Sequence, residues 1–541
     1  MDDVLIASRS PRLTRTMHSP QPSFQTAIAP NAPWEKDFAI GLVGTSVVAD
    51  ERLGVLRLYY ALRNKTRGCG HGDQPTVADC NTEPGVTPQP NYEDSAGPIL
   101  TALAESRDAG RTWSKPLLGK YAIGGSRANN VLGLMFGEGG DTHNTTQIDT
   151  VFLDPHAAPG STRRYRGVSG AAPSYSADGL NWTLARSQWA APCDSLFEGE
   201  WGTCGFDTKP QVLWDPPCAE GNGCWSFYTR FKNCVPPRPN TTQTLRMVRR
   251  ARSFTLDPEA ATAKVLWVNE TVVMRADELD NATHSIWDAG APPMDFYGAV
   301  PWYDAETGTY WMAAVRFWHW GPGQAHYPGG SRSAPGSYDM ALASSRDGAH
   351  FEYAGGRRSW VTAGREGGVG SRRMWLAGPP VRVGDEDVYF VTRTNTAEGP
   401  SVSIDALSTS QGRGWESEVA VGRLRAQGLV SLDAPYVAQS EAAVLVTVPL
   451  VFTGSRLYLN LDSSGPGSLV VEARLASQSQ ASAPALTSVP LSANGVELLV
   501  LWGGDASSAG NASAIESLRG EAVVLTLRMQ ACSLYALRFK K

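Results

Sequence analysis

No uninterrupted apolar run in this 541-residue chain reaches the roughly 18 residues that a membrane span needs. The most apolar stretch, Ala442 to Phe452, is short and contains Pro449, so it reads as strand. A basic surplus is also missing: 48 Lys and Arg stand against 53 Asp and Glu, a net charge of −5. Nucleic-acid partners are therefore not expected, because nothing would neutralise the phosphates. The chain lacks a Gly-x-Ser-x-Gly elbow, a phosphate-cradling Gly-x-x-x-x-Gly-Lys loop and a His-Glu-x-x-His pair. Serine-hydrolase, kinase and zinc-protease chemistry lose their support with them. No Cys-x-x-Cys pair marks a zinc site, and neither metal nor cofactor is expected. The start, MDDVLIASRSPRL, lacks the charged-then-apolar layout of a secretory signal.

What the chain has in excess is turn-formers. Gly and Pro make up 91 residues, about 17%, against a usual figure of roughly 12%. In a chain this long, that excess indicates many short strands. Seven Asn-x-Ser/Thr sites occur, at Asn64, Asn144, Asn181, Asn240, Asn269, Asn281 and Asn511. Cysteines number eight, seven of them between Cys69 and Cys234. Together these point to an oxidising, glycosylating compartment, hence a secreted protein with disulfides. A cytoplasmic protein with free thiols is the alternative.

One short pattern recurs. Its longest form runs from Ser106 through Asp108 and Gly110 to Trp113; shorter copies run Ser176-Ala-Asp-Gly-Leu-Asn-Trp182 and Ser345-Arg-Asp-Gly-Ala-His-Phe351. Decayed copies start at Ser253 and Ser410. The physical sense is a hairpin turn: Asp bonds local N–H groups, Gly takes a positive φ, and the aromatic packs beneath. Before each copy a β-rich run ends in an acidic turn, at Asp50, Asp154, Asp215, Asp304 and Asp385, and a second aromatic run follows. Each unit reads as four strands, one propeller blade. After Arg425 the pattern gives way to short alternating strands with Gly/Ser turns. The expected fold is all-β: a five-bladed β-propeller over residues 33–425, then a C-terminal β-sandwich over 426–541. Residues 1–32, rich in Pro and Ser, are expected to be a disordered tail.

A propeller gathers its innermost strands around a tunnel, so residues at their entry ends converge on one mouth. Asp207 and Asp295 head two such strands, and Asp149 lies on a third. Glycosidic hydrolysis needs two carboxylates, one acid and one nucleophile or base. Glu200 and Glu35, in loops before blades three and one, are further candidates for the proton donor. His143 is placed to bond a sugar hydroxyl, and Trp34, Trp201, Trp318 and Trp320 to stack on sugar faces. A carbohydrate is the expected partner, and the oligomeric state is left open.

The order of several runs resembles a known family. Pro33-Trp-Glu35 with Ile40–Asp50 and Leu56-Arg-Leu-Tyr-Tyr60 is similar to the opening blade of five-bladed glycoside hydrolase-like proteins, the superfamily of invertases, levansucrases and arabinanases. Further matches are Ala104-Glu-Ser-Arg-Asp108 with Trp113-Ser-Lys-Pro116, Asn129-Asn130, Phe152-Leu-Asp-Pro155, Arg164-Tyr165, Phe206-Asp207 and Trp214-Asp215. Leu518-Arg-Gly520 and Leu534-Tyr-Ala-Leu-Arg-Phe539 resemble the last sandwich strands of glycoside hydrolase family 32-like proteins. The resemblance implies a carboxylate site in the funnel with no essential metal. The chain departs from invertases in blade one, where Gly41-Leu-Val-Gly-Thr-Ser46 holds no acid, and it has no Arg-Asp-Pro or Glu-Cys motif. The alternatives are a noncatalytic carbohydrate-binding propeller and a sialidase-like hydrolase, the latter without its Phe/Tyr-Arg-Ile-Pro opening.

Overall fold

The computed structural model describes the chain except residues 1–2, 65–99, 124, 134, 138–141, 144–147, 170–171, 186–188, 191–206, 219–220, 234–244, 258–264, 282–293, 320–335, 366–367, 396–415, 437–440, 464, 479–485 and 504–509. Five sheets form the propeller. In blade one, Phe38–Ile40 and Ser46–Asp50 share the innermost position and pair with Val55–Asn64, which pairs with Leu100–Ser106. Blade two runs Thr150–Leu153, Tyr165–Ser169, Ala172–Ser176, Thr183–Leu184, and two short strands extend its outer edge. Blade three runs Asp207–Asp215, Cys224–Asn233, Leu245–Ser253, Val268–Met274. Blade four runs Met294–Asp304, Thr309–His319, Gly336–Ser345, then the short Glu352–Tyr353 and Ser359–Val361. Blade five runs Arg373–Leu376 with Val381–Val383, then Glu386–Thr394 and Ser417–Arg425.

Every joint between blades carries a hydrogen bond. Val151 N donates to Ser46 Oγ at 3.0 Å, Thr150 Oγ1 to Pro210 O at 2.5 Å, and Arg246 N to Asp295 Oδ2 at 3.2 Å. Tyr338 N donates to Arg372 O at 2.8 Å, and Ile40 N to Ser417 Oγ at 2.6 Å, which closes the ring. Buried Val, Leu, Tyr and Trp side chains from facing sheets fill each gap, the usual way a sheet hides its apolar face.

The recurring Asp-Gly turn has a second task. In blade two, Asp178 accepts from the N–H groups of Leu180 and Asn181, both at 2.8 Å, and Trp182 Nε1 donates to Gly179 O at 3.1 Å. Gly179 has φ +72, which an L side chain rarely adopts. That turn docks on the preceding blade: Tyr59 Oη donates to Gly179 O at 3.0 Å and Arg57 to Asp178 O. Blade four repeats the joint on blade three, where Tyr228 Oη donates to Gly348 O at 2.8 Å and Arg250 to Asp347 O at 2.9 Å. In blade one, Gly110 packs against Phe390 of blade five, and Arg423 donates to Ala109 O at 2.7 Å. The repeat is thus a clasp between neighbours. The acid turns form a second clasp in the opposite sense: Asp50 accepts from Arg164 and Tyr165 of blade two, and Asp215 from Tyr310 of blade four.

The sandwich has two five-stranded sheets enclosing a core that includes Leu445, Leu459, Leu527 and Trp502. The first thirty residues correct the expectation of a disordered tail. Ile6–Arg9 pairs with Ala443–Thr447 in one sandwich sheet, and Thr14–Met17 with Val430–Ala434 in the other. Gln25–Ile28 then supplies the fourth strand of blade five, against Ser417–Arg425. Ile28 is buried among residues of blades five and one. The physical reason is partner supply: each of these three edges would otherwise present unpaired backbone groups. No helix among the described residues is long and apolar enough to cross a membrane. A disulfide joins Cys218 and Cys224 across the first turn of blade three, and Cys532 is a buried free thiol.

Candidate functional site

A buried lysine, Lys209, bridges blades three and five. Lys209 lies on the innermost strand of blade three, where the pairing register shifts between Asp207 and Gln211. Its φ is +44, so the backbone is strained into the left-handed region. This bulge aims Lys209 across the axis, and its Nζ donates to Leu376 O at 2.8 Å and Ala377 O at 3.3 Å on blade five. The side chain is 1% exposed. Burial pushes the ammonium down to about 7, while the charge of Asp149 works in the opposite direction. Asp149 is itself 5% exposed and accepts from Ser169 Oγ at 3.1 Å. Asp149 and Lys209 are therefore a buried, electrostatically coupled pair between the innermost strands of blades two and three.

Beyond this pair lies the end where the innermost strands begin. Asp207 is the first residue of its strand and pairs with Arg230; its side chain lies outside the described residues. Asp295 is the second residue of the neighbouring innermost strand. Its carboxylate is 1% exposed and accepts from both the backbone N–H and the Nη1 of Arg246, at 3.2 and 3.1 Å. Burial works against the Arg246 charge, but Asp295 overcomes it, so the guanidinium is held above its ordinary range. Arg230 lies 4.3 Å and Arg246 5.5 Å from the ring centroid of Tyr297, which meets Trp375 edge-on at 5.9 Å. Two arginines, one carboxylate and an aromatic cluster thus gather where blades three, four and five meet.

The remaining expected residues fall into three groups. Trp318 is half-buried and opposes Met294, at the same end as Asp295, with the Arg316 guanidinium 5.2 Å from its ring. Glu35 and Trp34 are engaged elsewhere. Glu35 is fully buried and accepts from Ala32 N at 2.9 Å, Tyr60 Oη at 2.8 Å and Lys115 Nζ. Trp34 Nε1 donates to Asn130 Oδ1 at 2.9 Å. These contacts stitch the segment before blade one to its second strand, through Tyr60, and to the chain that follows its third, through Lys115 and Asn130, a structural duty. Glu200, Trp201 and Trp320 lie outside the described residues, as does the side chain of His143, whose backbone pairs with Met135 on the outer edge of blade two.

Sequence reasoning missed Lys209, Arg230, Arg246 and Tyr297. The arginines had a signal: both lie near the mouth-side ends of strands that pair antiparallel with each other. Lys209 had none, because a bulge is invisible in strand alternation. A cavity of about 650 Å³ lies elsewhere, between blades four and five and the sandwich.

No family model and no curated protein sequence matches the chain. Among solved structures, the chain is similar to a protein from work on the glycoside hydrolase family 130 of mannoside phosphorylases, at 11% identity and TM-score 0.36, covering 78% of this chain and 95% of that one. A fructofuranosidase variant from Schwanniomyces occidentalis gives 9% identity and TM-score 0.33 over 98% and 100%. A glycoside hydrolase family 32 protein from Bifidobacterium adolescentis gives 10% identity and TM-score 0.33 over 93% and 80%. The fold itself is defined by the strand pairing above: a propeller followed by a sandwich, as the resemblance to glycoside hydrolase-like propellers implied.

Proposed function

We propose that the protein is a secreted glycosidase that acts on a carbohydrate at the mouth of the propeller, with Asp207 and Asp295 as its carboxylates, supported by the buried Asp149–Lys209 pair. The observation that carries this reading is positional. Two aspartates head adjacent innermost strands, and the strand that begins with Asp207 is bent two residues later by a strained bulge. Bulges of this kind gather beside active sites because they re-aim side chains. Asp295, salt-bridged to Arg246 at 3.1 Å, suits the charged role of base or nucleophile. Asp207 is then the proton donor, with Glu200 in reserve. Tyr297 and Trp318, both half-buried, offer apolar faces for a sugar ring.

A panel of chromogenic glycosides of differing sugar and anomeric configuration tests the proposal. Turnover of at least one of them is the expected result. A second reading is favoured by a specific observation: Asp149 and Asp295 are each under 6% exposed and each faces a cation. Carboxylates so engaged suit a noncatalytic carbohydrate-binding propeller. Glycan binding without product release would support that reading against the first.

A further inference from the structure

Of the seven Asn-x-Ser/Thr sites, Asn181, Asn269 and Asn511 have described side chains, and all three are exposed. Two of these amides are engaged in their own turns. Asn181 Nδ2 donates to Asp178 Oδ2 at 2.7 Å in the clasp of blade two, and Asn511 Oδ1 accepts from Ser513 N at 2.9 Å. Asn269 differs, because it stands on a strand, the outermost one of blade three, Val268–Met274. Its φ is +56, a conformation that Asn tolerates better than most residues. Val268 opposes Arg252 and Thr271 opposes Arg250, so Asn269 and Glu270 together face Ala251. This is a bulge, and the Asn269 side chain stands out from it into solvent.

The strand around Asn269 is an edge in need of cover. It is the last of its sheet, and a last strand offers its outward N–H and C=O groups to any extended chain. Blades two, four and five end in strands of two to four residues, and the last strand of blade one, Leu100–Ser106, is almost wholly buried. Val268–Met274 has seven residues, with Val268 and Val272 exposed at 38% and 36%. It holds no Lys and no Pro, the residues that usually guard an edge. Its one acid, Glu270, is turned onto Arg249, 2.8 Å from Nη1. The bulge, and whatever stands on it, is left to protect this edge.

We propose that Asn269 carries an N-linked oligosaccharide, and that this glycan shields the outer edge of blade three. The proposal rests on the reading of the chain as secreted. In the transfer, the Asn269 amide nitrogen forms a bond to C1 of an oligosaccharide carried on a lipid diphosphate. The bond from C1 to the phosphate oxygen breaks, the lipid diphosphate leaves, and one amide proton passes to a base of the transferring enzyme. No oxidant or reductant is consumed. The bulky, hydrated glycan then blocks a second strand from pairing beside Val268 and Thr271.

The test uses the full chain, led into the secretory pathway of a eukaryotic host by a cleavable leader. Trypsin, cutting after Lys264 and Arg275, releases Asn269 in the peptide 265–275. Mass spectrometry should find this peptide glycosylated, and amidase release in heavy-oxygen water should return it with labelled aspartate in place of Asn269. Thr271→Ala removes the acceptor motif but keeps Asn269 at its positive φ, and Asn269→Gln is the second variant. Each should lose the glycan and aggregate several-fold faster by light scattering below the melting transition. Adding Val272→Lys, which puts a charge on the bare edge, should restore the wild-type rate. Melting temperatures establish that each variant is folded. An unmodified 265–275 peptide in a chain glycosylated elsewhere overturns the proposal alone; a chain without glycan at any of the seven sites overturns it together with the secreted reading. Equal aggregation of the folded variants and the glycosylated wild type overturns the shielding role. Turnover at the mouth enters none of these readings.

Discussion

Lys209 of blade three is hydrogen-bonded to Leu376 of blade five, 2.8 Å from Nζ to the carbonyl oxygen, across the axis of the ring. Blade four lies between these two in the cyclic order, so the bond is a spoke and not a joint between neighbours. It rigidifies the strand ends that carry Asp207 and Trp375.

The same contact sets a pH dependence. The folded Lys209 has its pKa lowered from 10.5 to about 7, so the unfolded chain binds the proton more readily. Stability from this group is complete above the unfolded value and is lost as pH falls through the window from about 10 to about 7. The wild-type melting temperature should therefore rise on going from neutral pH to about pH 9, before tyrosine ionisation intervenes. Lys209→Met should flatten that rise. Equal slopes in thermal melts of the two proteins would refute the coupling.

Gly179 tests the clasp between blades. An alanine there would hold a positive φ, and its Cβ would collide with the Tyr59 hydroxyl. Gly179→Ala should cost at least about 2 kcal/mol from backbone strain and the broken contact. An exposed glycine with positive φ and open space, such as Gly119, is the control. Denaturant unfolding should separate the two; similar midpoints would argue against the clasp.

The N-terminal strands make a stronger demand. Removing residues 1–28 strips an edge strand from each sandwich sheet and the fourth strand from blade five. The shortened chain should aggregate or lose its cooperative melt, because a bare edge templates association. A soluble truncated chain with an unchanged melt would show that the ring closes without them.

These strands also mark where the sequence stopped being legible. The blades were readable because a local device recurs: an acidic turn and an aromatic run in each, and an Asp-Gly hairpin in blades one, two and four. The sandwich was readable from alternation, as in Ser468–Leu475, where buried and half-buried positions alternate. The N-terminal strands are four residues each, too short for alternation, and Thr14–Met17 pairs with partners more than 400 residues away. Glu35 misled for a related reason. A loop glutamate before a blade reads as available, but Lys115, eighty residues on, arrives to neutralise it. Asp149, Asp207 and Asp295 stand out in the sequence because the start of a strand is a local property. The arginines that surround them come from second and third strands, and only the folded ring brings them there.

Glycosidic hydrolysis at the mouth through Asp207 and Asp295 is tested by comparing two variants on one chromogenic substrate. Asp295→Ala leaves Arg246 without its buried partner, so it should lose activity and about 3 kcal/mol of stability together. Asp207→Asn should abolish turnover while the melting temperature stays at the wild-type value. Wild-type turnover in a folded Asp207→Asn protein would contradict the claim.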